Sequence, residues 1–171
     1  MTEDKMPDKE NTNRNQEFAI DENLILVQEF AKSKSEIIHQ LGTLLFKNGF
    51  VKDTYTQAVL DREEVYPTGL QARVTGVAVP HTDTEHVIRP AVAIATLKDP
   101  IPFGGMGQPD TTIQVYIVMM LAIHDPKLVV QILRKIIFII EDDDALKKML
   151  RAGDPSQIKD IMFEHIKSLS K

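Results

Sequence analysis

The sequence predicts an α/β domain, and three observations carry that prediction. Apolar residues recur at helical spacing in residues 33–49 and again from Asp125 onward. Between these stretches lie short, nearly continuous apolar runs, Gly76-Val-Ala-Val-Pro80, Ala91-Val-Ala-Ile-Ala-Thr-Leu97 and 111–121, of the kind buried strands need. Helix-like and strand-like segments therefore interleave along one chain, which is the pattern of an α/β layer architecture.

Taken in order, residues 1–19 are polar and poor in aliphatics, and are expected to form a disordered tail. The domain is expected over residues 20–171, with no internal repeat or interior linker. Asn23 to Val27 suits a buried strand. Residues 33–49 read as a helix. Ser33 and Glu36 have the spacing of a capping box, Ile37, Ile38, Leu41, Leu44 and Leu45 form its apolar face, and Asn48-Gly49 can close its end. Asp53 can cap a second helix over 53–65, with Tyr55, Val59 and Ala58 inward, stopped by Pro67 and Gly69. Three strands follow, over 76–80, 91–97 and 111–121. Residues 99–110, with three prolines and three glycines, are expected to be an irregular loop. Pro126 fits a first helical position. Leu128, Val129, Ile132, Leu133, Ile136, Ile137 and Ile140 then make a wide apolar stripe. Asp142 to Leu150 and Ser156 to Leu169 give two more helices, divided by Gly153-Asp154-Pro155.

Composition narrows the function. With 171 residues and 43% apolar side chains, the chain can bury one real core. It has no cysteine, which removes disulfides, thiolate metal sites and a cysteine nucleophile. A net charge of −5 argues against a broad grip on nucleic acid or an anionic membrane. The longest apolar run, residues 115–123, falls short of the roughly 20 residues a spanning helix requires. No apolar signal core precedes the domain, so a cytoplasmic protein without membrane insertion is expected.

Of the five histidines, His39 and His165 fall within helical patterns and read as solvated face residues. His81 is different. Pro80 cannot donate to a sheet ladder, so His81 stands at the carboxyl end of an apolar strand, where sites of open α/β sheets gather. Position alone leaves open whether it is functional or an ordinary loop residue. His81, Asp83, Glu85 and His86 also invite a metal reading, but such close neighbours in one loop rarely converge on one ion. Gly104 to Gly107 lacks a phosphate-loop pattern and precedes a strand, so it reads as a connector. The acidic run Glu141 to Asp144 reads as a helix start. No GxSxG or HExxH is present, and no spacing links Ser33 or Ser35 to His81.

Arg62-Glu63 at the end of a helix, the Thr68-Gly69 turn, and Gly76 to His81 as a Gly-x-Ala-x-Pro-His strand end occur in that order. This combination resembles the type 2 EIIA family of the bacterial phosphoenolpyruvate-dependent sugar phosphotransferase system. The resemblance covers roughly residues 20–165. It implies a single domain with a mixed, mostly parallel β-sheet flanked by helices. It implies that His81 receives a phosphoryl group from the phosphohistidine of HPr and passes it to a cysteine of an EIIB. A membrane EIIC then delivers the group to incoming sugar. No cofactor or metal is implied. Arg62 is the matching arginine, able to steady the phosphoryl group with its planar fork, and Thr68 is a candidate donor. The imidazole chemistry agrees, because a neutral histidine is a competent nucleophile.

Fructose- and mannitol-type members carry a second active-site histidine early in the helix after the last strong strand. Here that position is Val129, and His124 lies five residues before it. Galactitol-type members also lack that histidine, and residues 52–70 are most similar to that branch. Three other readings stand beside the phosphocarrier: a regulatory phosphoprotein of the same fold, a metal-dependent hydrolase using His81, Asp83 and His86, and a plain small-molecule binding domain.

Overall fold

The computed structural model describes residues 18–169; the expected disordered tail, apart from Phe18 and Ala19, lies outside the described residues. Those two residues belong to the domain. Phe18 is buried, and Ala19 bridges Ala91 in parallel, donating its N–H to the Pro90 carbonyl and accepting from Val92.

A short 3-10 turn, Glu22–Leu24, leads into β1 (Ile25–Glu29), so the first expected strand starts two residues late. Helix α1 (Lys34–Lys47) forms as expected. The Ser33 hydroxyl accepts from Glu36 N–H, while the Glu36 carboxylate reaches back to the N–H of Lys32 rather than of Ser33. Ile37, Ile38, Leu41 and Leu45 are fully buried. Its end is a Schellman closure: Phe50 N–H donates to Leu45 O and Gly49 N–H to Phe46 O, with Gly49 at φ 78°. Helix α2 (Tyr55–Val65) begins two residues after Asp53; Thr54 is its N-cap and supplies no side-chain cap bond.

The sheet contains β1, β2 (Gly69–Gln71), β3 (Gly76–Ala78), β4 (Ala91–Gly105) and β5 (Gln108–Ala122). Pairing runs β1-β4-β2-β3-β5, and β4 and β5 also pair with each other, so the last four strands close on themselves. The sheet is mixed. The β1–β4, β2–β4 and β3–β5 pairings are parallel, and the β2–β3 and long β4–β5 pairings are antiparallel.

The expected loop over 99–110 is corrected. Its residues form the far half of the β4–β5 hairpin, closed by a turn at Met106-Gly107. A register shift between Thr96 and Ile101 absorbs Pro100, and Pro102 then pairs with Gln114. Past Leu97, the side of β4 away from β5 meets β2 only at Gly105, so prolines there interrupt no second ladder.

Alternate strand residues face two helical layers. Val77, Val92, Ile94, Ile117, Met119 and Leu121 pack toward α3 (Val129–Ile140), α4 (Asp143–Arg151) and α5 (Pro155–Leu169). Ala78, Ala91, Ala93, Ala95, Val118 and Met120 face α1 and α2. Small residues on the second face let those helices sit close. A 3-10 turn, Pro126–Leu128, precedes α3 and holds the expected Pro126. The acidic run starts α4 as expected, with Asp142 accepting from Ala145 N–H at 3.0 Å.

Candidate active site

Strand β3 is short, but the chain stays clamped beyond it. Val79 N–H donates to the Thr68 hydroxyl at 3.2 Å, and the Pro80 carbonyl accepts from Leu121 N–H at 3.0 Å. A Cβ on Gly76 would collide with the Gln114 backbone, so glycine is what lets β3 approach β5. His81 follows as the first residue released, partly buried, before a 3-10 turn at Thr84–His86.

The His81 ring is fixed by one hydrogen bond, from Nδ1 to the Val79 carbonyl at 2.8 Å. A carbonyl oxygen can only accept, so Nδ1 carries the proton. In the neutral ring, Nε2 is then left with its lone pair. Burial pushes the imidazole below its ordinary value, and the Arg62 charge pushes the same way; the Val79 bond and Asp83 oppose them. The ring is neutral near pH 7, the nucleophilic form.

Arg62, on the last turn of α2, pairs with Asp83 at 3.7 Å, with side chains 36% and 74% exposed. Its guanidinium lies 5.2 Å from the centre of the Tyr66 ring. Both contacts are weak at such exposure. The guanidinium is close enough for its charge to act on the His81 ring, and these weak contacts do not lock it in place. Its Nε is buried with no hydrogen-bond partner among the described residues.

The donors of Thr68, the candidate donor to the phosphoryl group, are turned toward Glu63. Its N–H donates to Glu63 Oε1 and its hydroxyl to Glu63 Oε2, both at 2.9 Å, so its donors are already committed. Glu63, 2% exposed, was not singled out for a role by the sequence. The signal was its phase: it falls four residues after Val59 and eight after Tyr55, both fully buried. Burial pushes its carboxyl upward, and the two Thr68 bonds and Lys34 pull it down.

The other histidines are elsewhere or engaged. His86 hydrogen-bonds Thr54 Oγ1 through Nδ1 at 2.8 Å and faces Glu85 through Nε2 at 3.5 Å. His81, Asp83 and His86 thus face different partners, and no group of three or more His, Asp or Glu among the described residues is placed to hold a metal. His39 is exposed on α1. His165 is corrected from a solvated position: it is partly buried, with Nδ1 on the Ile161 carbonyl and Nε2 on Asp142 at 2.9 Å. His124 is exposed two residues beyond β5, at the same sheet edge as His81, because β3 and β5 run parallel. Val129 opens α3, partly buried against the core. No described helix is long and apolar enough to cross a membrane.

The family model described as "Phosphoenolpyruvate-dependent sugar phosphotransferase system, EIIA 2" matches residues 18–165. The transcriptional regulator ManR of Bacillus subtilis is 28% identical over 130 residues, covering 75% of this chain but only 18% of ManR. The galactitol-specific EIIA component of Escherichia coli K12 is 23% identical over 133 residues, covering 78% of this chain and 87% of that protein. A crystal structure given as a PTS IIA, PtxA, from Streptococcus mutans superposes with a TM-score of 0.71 at 26% identity, covering 86% of this chain and 92% of that one.

Proposed function

The chain belongs to the EIIA 2 family of the phosphoenolpyruvate-dependent sugar phosphotransferase system, and on that premise we propose that His81 is its phosphoryl carrier. His81 Nε2 attacks the phosphorus of phosphohistidine on HPr. A new N–P bond forms as the donor N–P bond breaks; the donor imidazole, protonated on its other ring nitrogen, keeps the electron pair and leaves neutral, and the His81 ring, still protonated at Nδ1, takes over the positive charge. The group then leaves for a cysteine of an EIIB, for sugar entering through an EIIC. All of this takes place at the cytoplasmic side.

The observation that carries the reading is the 2.8 Å bond from His81 Nδ1 to the Val79 carbonyl. It selects the tautomer whose lone pair sits on Nε2, without any residue having to remove a proton during attack. Arg62 supplies the positive fork for charge gathering on the equatorial oxygens. Its pairing with the exposed Asp83 is worth less than about 1 kcal/mol, so an incoming phosphoryl group displaces it readily. Because burial depresses the His81 pKa, phosphoryl acceptance should decline at a lower pH than protonation of an ordinary imidazole would cause.

Intact mass after incubation with phosphoenolpyruvate, enzyme I and HPr tests the reading. One added phosphoryl group, absent in His81→Ala, is expected; an unmodified wild-type chain refutes it. The likeness to ManR favours a second reading, in which phospho-His81 serves regulation. The two part at the next step: a carrier discharges to EIIB, whereas a regulatory domain keeps its phosphoryl group when EIIB is added.

A further inference from the structure

We infer that Glu63 is a positioning residue for His81, acting through the Thr68 hydroxyl and the backbone of Val79. The inference rests on the reading of His81 as the phosphoryl acceptor, but its observable, the protonation pattern of the His81 ring, does not depend on transfer.

Glu63 neighbours Arg62 in sequence, about 100° further round α2, and is buried inward from the helix. A buried carboxylate is costly unless its oxygens are satisfied. Both of its oxygens bond the same residue: Oε1 takes the Thr68 N–H and Oε2 the Thr68 hydroxyl, each at 2.9 Å. Thr68 is thereby held at two points, and its hydroxyl rotor is set. With its hydrogen directed at Glu63, Oγ1 turns lone pairs to the Val79 N–H at 3.2 Å, closer than the Thr68 carbonyl at 3.4 Å. Val79 in turn offers its carbonyl to His81 Nδ1 at 2.8 Å. The next residue, Pro80, has a fixed φ and is anchored to Leu121. The carbonyl that aims the imidazole is therefore held from both sides, and on the N-terminal side the chain of bonds ends at Glu63.

This matters because free imidazole side chains favour the tautomer protonated at Nε2, which would block the attacking atom. The Nδ1–H form has to be imposed, and a carbonyl imposes it only while aimed at the ring. Hydrogen bonds ending on a charge also polarise one another, so the Glu63 carboxylate strengthens the chain as well as fixing it.

The test reads the His81 ring nitrogens by 15N-correlated NMR on the unphosphorylated full chain, with the rate of phosphoryl acceptance from phospho-HPr beside it. The wild type should show protonated Nδ1. Thr68→Val, nearly isosteric but without the hydroxyl, and Glu63→Leu should both raise the Nε2–H tautomer and slow acceptance about ten- to a hundredfold, as for a misplaced reacting group. Thr68→Ser keeps the hydroxyl and should restore both readouts, whereas Glu63→Gln, whose amide nitrogen cannot accept a hydrogen bond from Thr68, should not. Should Glu63→Leu fail to fold, Thr68→Val decides alone. A folded Thr68→Val whose His81 ring keeps the wild-type nitrogen shifts overturns the inference, whatever its melting temperature. If the wild type accepts no phosphoryl group, the carrier reading fails while the ring shifts still decide the role of Glu63.

Discussion

Replacing Arg62 with alanine should separate catalysis from stability. Among the described residues the guanidinium contacts Asp83, at 3.7 Å with both side chains substantially exposed, and the Tyr66 ring at 5.2 Å. Each contact is worth at most about 1 kcal/mol. Their joint loss should lower the thermal midpoint by no more than about 4–8 °C in a domain of this size. In the transition state the same group faces charge spread over the phosphoryl oxygens. Losing one charge-assisted clamp there costs about 2–4 kcal/mol, by analogy with a removed oxyanion donor, or roughly 30- to 1,000-fold in rate. Rapid-quench measurement of phosphoryl acceptance from phospho-HPr, alongside thermal unfolding, reads both quantities. Arg62→Lys should recover only part of the rate, because a point charge does not replace a planar fork. A rate for Arg62→Ala within twofold of the wild type would refute the clamp and make Arg62 a surface residue.

Three further outcomes concern the fold. Gly49→Ala should cost about 1–2 kcal/mol in denaturant unfolding, because alanine must adopt φ 78° even though its Cβ would meet nothing nearer than Arg89 Nη2 at 3.7 Å. Deleting residues 1–19 should cost roughly 1.5–3 kcal/mol more than deleting 1–17, because Phe18 is 5% exposed and loses that burial; equal midpoints would place Phe18 outside the core. The Asp142 carboxyl is held below its ordinary value, chiefly by the Ala145 N–H and also by His165. Its contribution is thus present above the unfolded-state pKa of about 3.9 and fades as pH falls through the folded value. Asp142→Ala should therefore lower stability at neutral pH and flatten its loss in acid; an unchanged acid limb would count against the cap.

The sequence made some parts of this legible for identifiable reasons. Helix α1 was readable because its cap, apolar spacing and closing glycine agree, and each local signal points to the same element. The carboxyl-end placement of His81 was readable because Pro80 ends a ladder. The far half of the β4–β5 hairpin was not, because prolines and glycines that usually punctuate loops are tolerated where a strand has a free side and a register shift. Strand β2 escaped notice because three residues carry no periodicity, and its place is set by β3 and by the Gly69–Gly105 pairing. Glu63 was named in a motif, yet a charge on a helix reads as solvent-facing until the fold supplies Thr68 as its partner. The engagement of His165 is hidden for a similar reason: Asp142, its partner, lies 23 residues away. The direction of the Thr68 hydroxyl is not legible in the sequence either, because the Glu63 carboxylate that receives it is placed by the packing of α2.

The most direct test of the account is the position of the phosphoryl group itself. The chain, 15N-labelled at histidine and phosphorylated through enzyme I and HPr, can be examined by 31P and 15N NMR, with His124→Ala as a companion. The account predicts one acid-labile, base-stable N–P bond, at Nε2 of His81, formed almost as fast in His124→Ala as in the wild type. A phosphoryl group on His124, on His81 Nδ1, or on no histidine would contradict it.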